Sequence, residues 1–346
     1  MPAELEMFAT SMLCGLVVSG CAIDLDEPPL SEPAPSPPRL EICTPLPDVA
    51  PDYAGRLDSI AEGGGVLVTT GSSLDGAMPN AGYIVTGDAC DLGAREVRSR
   101  PLLDGTELGA DVVLQPQALV RAGSALYSFF EAQRPNEAEP FGIESVGRGV
   151  ATWDGGAEQF IDPVLLWTGD RPSFGTGVLA DETYVYAYGG RNEGFLSGNA
   201  YVARAPLDRL TAAGAWEYWS GGGNWSTLAD EAWPLFEASG VVSVAFEPGT
   251  ERFIAAYSTP LSSEITLRSG LGPDGPWSGP HVVATCNLPA SDPGAFCADV
   301  VLHPALAYPG ELVLTHGVGS FDRPEGTAPE EIRARLATFP VPSSLP

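Results

Sequence analysis

Five short stretches of this chain share one pattern, a β-rich run that ends in a turn with polar residues at its tip: GVLVTTG from Gly65, ALYSFFEA from Ala125, YVYAYGG from Tyr184, RFIAAYST from Arg252 and ELVLTHG from Glu311. Their starts lie 60, 59, 68 and 59 residues apart. A unit of this size that recurs five times is how a β-propeller is written, because each small sheet needs a neighbour on either side to cover its apolar faces. Length alone would suggest about two domains of ~150 residues. With 346 residues, 44% of them hydrophobic, the repeat instead favours one large all-β domain.

Each unit divides into strands by alternation and turn signals. The second blade reads QALVRAG from Gln117, ALYSFFEA, GRGVATWD from Gly147 and QFIDPVLL from Gln159. The third reads GTGVLAD from Gly175, YVYAYGG, NAYVARAP from Asn199 and WEYWSGG from Trp216; the fourth reads VVSVAFEP from Val241, RFIAAYST, ITLRSGL from Ile265 and HVVATC from His281. The first blade has GVLVTTG, GYIVTG from Gly82 and EVRSRPLL from Glu96. The last has VLHPALAYPG from Val301, ELVLTHG and RARLATFP from Arg333, and so lacks a fourth strand. LEICTP, from Leu40, is the free candidate, and it would close the ring and cover the exposed edge. The expected fold is therefore a five-bladed propeller of four-stranded blades closed by an N-terminal strand. It occupies residues 40–340, with blades at about 54–105, 111–167, 173–235, 239–287 and 298–340 plus 40–45.

The stretch before the propeller has a different character. Residues 7–18, MFATSMLCGLVV, form a short apolar run, followed by Val18-Ser19-Gly20-Cys21. This resembles the bacterial lipobox, which implies a signal peptide over residues 1–20 and lipid on Cys21. Glu4 and Glu6 stand where basic residues are usual, and a start at Met7 would remove them without supplying a basic side chain. A plain cleaved signal and a cytoplasmic chain are the alternatives. Residues 21–39 contain six prolines and little that could pack, so they read as an extended tether. The expected location is the bacterial cell envelope, extracytoplasmic, with the membrane touched through the lipid only and the protein a monomer.

If Cys14 leaves with the signal, Cys43, Cys90, Cys286 and Cys297 remain beside the lipidated cysteine. An even count in an exported chain suggests two disulfides; proximity pairs Cys286 with Cys297 and leaves Cys43 with Cys90. There is no CxxC pair and there are three histidines, so no metal site is expected. The net charge of −28, with all 17 basic residues Arg, excludes a nucleic-acid partner, since phosphate binding needs a basic stripe. No cofactor is required; calcium is the ion that the acidic loops would suit.

In a propeller the end of each second strand and the start of the next first strand converge on one funnel. By this rule Asp58, Ser72, Asp75, Glu131, Arg191, Asn192, Glu193, Ser258, Asp299, His303 and His316 are brought to it. Glycosidic hydrolysis needs one protonated and one ionised carboxyl across the scissile bond. Asp58, Asp75, Glu131 and Glu193 are the candidate catalytic acids; Arg191, Asn192, His303, His316 and Asp299 are candidate ligand-binding residues. Trp216, Trp219, Trp225 and Trp233 could stack on sugar rings, although packing between blades is the more frequent fate of such residues. Trp277 reads as a packing anchor. No Ser-His-Asp order, phosphate loop, dinucleotide fingerprint or HExxH motif occurs.

The segments PVLLWTGDRPSFGTG, YVYAYGG, NAYVARAPLDRLTAAGAWEYW, ITLRSGLGPDGPWSGP and LHPAL resemble bacterial secreted propellers grouped as a domain of unknown function, some of which are endo-D-arabinanases. The resemblance spans about residues 55–340 and implies a furanoside-acting glycoside hydrolase whose suspected catalytic pair are two first-blade aspartates. Asp58 matches the first. At the second, the chain reads Thr70-Gly71-Ser72-Ser73, placing a serine where an aspartate is expected. A serine hydroxyl is neither a general acid nor a carboxylate nucleophile near neutral pH. The sequence thus supports two readings of a carbohydrate partner: a non-catalytic or weakly active glycan-binding relative, and an active arabinanase-like hydrolase.

Overall fold

A computed structural model describes residues 41–42, 57–62, 65–70, 80–88, 91–97, 101–139, 142–194, 197–238, 240–320, 335–342 and 345. The proposed signal, Cys21, the tether, Cys43, Ser72, Asp75 and Cys90 lie outside the described residues. The protein is a five-bladed β-propeller built from five antiparallel sheets. Blade one comprises Leu57–Glu62, Gly65–Thr70, Ala81–Asp88 and Asp91–Glu96. Blade two comprises Val113–Ala122, Ala125–Pro135, Ile143–Asp154 and Gln159–Trp167. Blade three runs through Gly177–Ala180, Tyr184–Asn192, Gly198–Pro206 and Glu217–Gly221. It adds Asn224–Ser226 on its outer edge and Phe236–Glu237 against its third strand. Blade four comprises Ser243–Glu247, Arg252–Ser258, Glu264–Gly270 and His281–Thr285.

Blade five holds Phe296–Leu302, Glu311–Gly319 and Arg335–Pro340, and its outer place is taken by Glu41–Ile42, where Glu41 pairs with Thr338 and Ile42 with Ala337. The ring is thus closed by the N-terminal strand. The first strand of each blade touches the first strands of both its neighbours, around the full circle. Two strand positions differ from the sequence expectation. Blade one's outer strand is Asp91–Glu96 rather than a run starting at Glu96. Blade five's first strand ends at Leu302, before the 3-10 turn Pro304–Leu306, because the proline at 304 cannot donate to a ladder.

The repeated stretches are apolar on both faces because each blade is sandwiched between two others. In Tyr184–Asn192 six consecutive residues from Val185 to Gly190 are buried, which a half-exposed sheet would not tolerate. The layer between blades two and three is the most aromatic. There Trp167 meets Trp216 edge-on at 4.9 Å and stacks with Phe129 at 6.3 Å. Each buried polar edge finds an acceptor: Trp167 Nε1 donates to Tyr218 Oη at 2.9 Å, and Trp216 Nε1 to the Leu210 carbonyl at 3.1 Å. Trp216 is therefore core. Gly189 and Gly190 are required by close approach, since a Cβ on either would sit 2.2 Å from the Ser173 carbonyl carbon or 2.5 Å from the Gly240 carbonyl oxygen. They let the segments leading into blade three, at Ser173, and into blade four, at Gly240, lie against blade three's second strand.

Candidate functional site

A first strand in a propeller has a ladder partner on one side only, so alternate backbone groups point at the axis with nothing to bond. Side chains take up this role here. The Leu119 N–H of blade two donates to Asp58 Oδ2 of blade one at 2.5 Å, and the Leu302 N–H of blade five to Ser243 Oγ of blade four at 3.0 Å. His303 bridges blades five and one: its Nδ1 lies 2.8 Å from Ser59 Oγ and its Nε2 2.8 Å from Thr315 Oγ1. These contacts surround an axial cavity of about 320 Å³ to which all five first strands contribute. Its polar lining is Asp58, Ser59, Arg121 and Ser243. The Arg121 guanidinium sits towards the far end, donating to the Ala61 carbonyl at 2.9 Å and pairing with Glu62.

The predicted acids are distributed rather than gathered. Asp58 lines the axial cavity and is 8% exposed; Glu131, Glu193 and Asp299 are not part of that lining. Glu131 accepts from Arg148 Nη2 and Ser145 Oγ, each at 2.8 Å, within its own blade. Asp299 sits in the bulge between Ala298 and Val301 with φ +49°, a left-handed turn that takes it out of the strand's alternation. Arg191 and Asn192 are exposed at the end of blade three's second strand, Arg191 pairing with Asp170 at 2.9 Å.

The two histidines correct the sequence reading. His303 follows the first strand of blade five, which ends at Leu302, instead of standing at that strand's entry, and is 2% exposed between its two hydroxyl partners. His316 is fully buried, one ring nitrogen lying within 4.8 Å of the sulfurs of Cys286 and Cys297, so strand alternation turns it away from the funnel into the seam between blades four and five. Those two cysteines are bonded to each other, which uses the sulfurs that a metal would need as thiolates.

Glu193 lies elsewhere, in a groove of about 470 Å³ between blades three and four. It accepts from Tyr201 Oη at 3.3 Å. Facing it across the groove are Tyr257, Thr259, Glu264, Thr266 and Arg268 of blade four, with Glu237 from the added strand of blade three. Burial pushes the Tyr257 phenol up, against the pull of the Arg268 guanidinium, whose Nε donates to Tyr257 Oη at 2.9 Å. Arg268 is further held over the Phe236 ring at 4.9 Å and by the Ser278 carbonyl at 2.7 Å. The acids at 237 and 264 escaped the sequence reading because one depends on a two-residue strand and the other starts a third strand, a place the funnel rule ignores. The signal that could have found Glu264 is its turn, Thr259–Glu264, at the same end of the blade as Asn192.

Of the remaining tryptophans, Trp219 and Trp225 meet edge-on at 5.5 Å, and Arg204 lies 4.1 Å over Trp225 and 4.3 Å over Tyr184. Trp233 is 62% exposed on the rim of blade three. Trp277 packs against Phe236 at 5.4 Å, as an anchor.

The family model described as "Domain of unknown function (DUF5005)" matches residues 100–325, about two thirds of the chain. Among solved structures, a proposed hydrolase from Bacteroides ovatus is similar with a TM-score of 0.60 at 15% identity, over 83% of this chain and 85% of that one. The GH43_1 enzyme from Xanthomonas citri complexed with xylotriose has a TM-score of 0.51 at 16% identity, over 86% and 88%. The catalytic domain of a GH62 α-L-arabinofuranosidase from Coprinopsis cinerea has a TM-score of 0.52 at 11% identity, over 88% and 97%. At these identities the likeness is one of fold, a glycoside-hydrolase-like propeller. No curated protein sequence matches the chain.

Proposed function

The chain belongs to the family of the domain of unknown function DUF5005, and on that premise we propose that it is a surface-anchored glycan-binding protein, non-catalytic or weakly active, whose axial cavity takes the glycan. The observation that carries this reading is the axial lining. Glycoside hydrolysis places two carboxyls about 5–5.5 Å apart for retention or about 6.5–9.5 Å apart for inversion. The axial cavity has one carboxylate among its described lining residues, Asp58, and that carboxylate already accepts the Leu119 N–H. A hydrogen-bonded carboxylate with serines beside it is suited to receive sugar hydroxyls. Among the described lining residues it has no second carboxyl that would protonate a leaving group.

The test is retention of the protein in gels cast with arabinan, arabinogalactan or xylan. Wild type is expected to be retarded by at least one, and Asp58→Asn to lose most of the retardation; equal migration of the two in every gel refutes the axial site. Anchoring rests on Val18-Ser19-Gly20-Cys21 and the proline-rich stretch after it. Cys21→Ser is expected to move the protein from the membrane fraction to the soluble one, and its staying in the membrane fraction would count against lipid attachment.

A further inference from the structure

We propose that the groove between blades three and four is a second sugar subsite, one that accepts neutral sugar residues and rejects uronic acids. It rests on the glycan reading above, and it adds a place and a selectivity which that reading does not contain.

The cavity, at about 470 Å³, is larger than the axial one. Pockets of roughly 300–1,000 Å³ are of the size that holds small ligands. Its lining offers the two kinds of group that a sugar's surface matches: apolar groups of Ala238, Pro260, Pro280 and Val282, and the hydroxyls of Thr259 and Thr266 with the Tyr257 phenol. Sugar rings present C–H faces to the first kind of surface and hydroxyl edges to the second. Thr259 Oγ1 and Thr266 Oγ1 are 3.2 Å apart and already exchange a hydrogen bond, which fixes their orientation before a ligand arrives.

Charge then decides between sugars. Three carboxylates, Glu193, Glu237 and Glu264, line the groove against one guanidinium, Arg268, whose Nε and Nη1 are engaged with Tyr257 and the Ser278 carbonyl. Among the described residues no side-chain hydrogen bond or ion pair ties the carboxylate of Glu237 or Glu264. Ionised carboxylates without cationic partners repel a uronate over several ångströms, and accept hydrogen bonds from neutral hydroxyls at no such cost. Val282, on the wall, is 37% exposed, so its methyls report occupancy directly.

The experiment is a titration of methyl-labelled full-length propeller, followed by NMR, with xylotriose, arabinotriose and trigalacturonate as probes. The Val282 and Ala238 methyls are expected to shift with at least one neutral triose and to stay unmoved by trigalacturonate at the same concentration. In Glu237→Gln/Glu264→Gln, trigalacturonate affinity at the groove is expected to rise at least fivefold, and Val282→Trp is expected to weaken neutral triose binding there tenfold or more. Methyls of Val178 and Leu179, on the axial cavity, read that site separately, so loss of either subsite is seen without the other. Unmoved groove methyls with both neutral trioses overturn the proposal. So does a trigalacturonate shift in wild type equal to the neutral one.

Discussion

The axial cavity and the groove between blades three and four are both open to a ligand, but they treat their polar groups differently. On the axis, Asp58 and Ser243 accept first-strand N–H groups of a neighbouring blade, while Ser59 contacts His303 from the blade beside it. In the groove, Glu237 and Glu264 line the wall and, among the described residues, tie no neighbouring blade through their carboxylates. The difference follows from ring closure. First strands face the axis with unpaired backbone groups that must be satisfied, whereas the groove lies where sheets already pack and nothing further needs joining. A polar residue on the axis thus has a structural task before it has a chemical one, whereas the carboxylates of Glu237 and Glu264 in the groove have, among the described residues, no such task to lose.

Four substitutions would break or sharpen this contrast. His303→Ala, which removes the bridge between Ser59 and Thr315, is expected to destabilise the fold by about 2–4 kcal/mol, read by urea denaturation, because two buried hydroxyls lose their partner. A loss under about 0.5 kcal/mol would show that the axial bridge does not hold the ring.

Glu247 offers a carboxylate with a purely structural task. Burial pushes its carboxyl up, but hydrogen bonds from Gly310, Thr250 and Gly249 outweigh that and hold it below its ordinary value. Because the folded value is depressed, its contribution is complete above the ordinary carboxyl value of 4.5 and is lost as pH falls through the lower folded one. Glu247→Gln is expected to cost about 1–3 kcal/mol at pH 7 and progressively less in that acid range, measured by denaturation across pH. A pH-independent loss would contradict the assignment.

Asp58→Asn keeps an acceptor oxygen for the Leu119 N–H, so a stability loss of about 1 kcal/mol is expected beside a much larger loss of glycan retention. A large loss of both would make Asp58 a structural residue alone. Glu264→Gln is expected to change stability by less than about 0.5 kcal/mol, the usual range for a polar side chain that anchors nothing, since Glu264 is half-buried on the groove wall and its carboxylate has no side-chain tie among the described residues. A loss above 1 kcal/mol would mean the groove, too, is a structural seam.

The five-fold architecture was legible because each unit repeats the same double-sided strand, and a strand buried on both faces writes a mostly apolar run with few polar residues. Ring closure was legible for the same reason, as a missing fourth strand beside a spare one. The site was less so. Proximity to the mouth was read from strand order, but orientation depends on register, and a one-residue change turns a side chain from funnel to seam. His316 illustrates this, since it lies against the Cys286–Cys297 bond instead of on the funnel. His303 was misplaced by a strand boundary, because the first strand of blade five ends where the proline stops it. Glu237 had no readable signal: it rests on a two-residue strand that pairs only after the chain has turned back on blade three.

The claim that most needs testing is that Asp58 binds sugar without cleaving it. Reducing-end release from arabinan, arabinogalactan and xylan, measured for wild type, Asp58→Asn and Asp75→Asn, decides it. No release above the buffer control for any of the three proteins is the expected result. Release by wild type that falls a hundredfold or more in either variant would contradict the account and identify an active hydrolase.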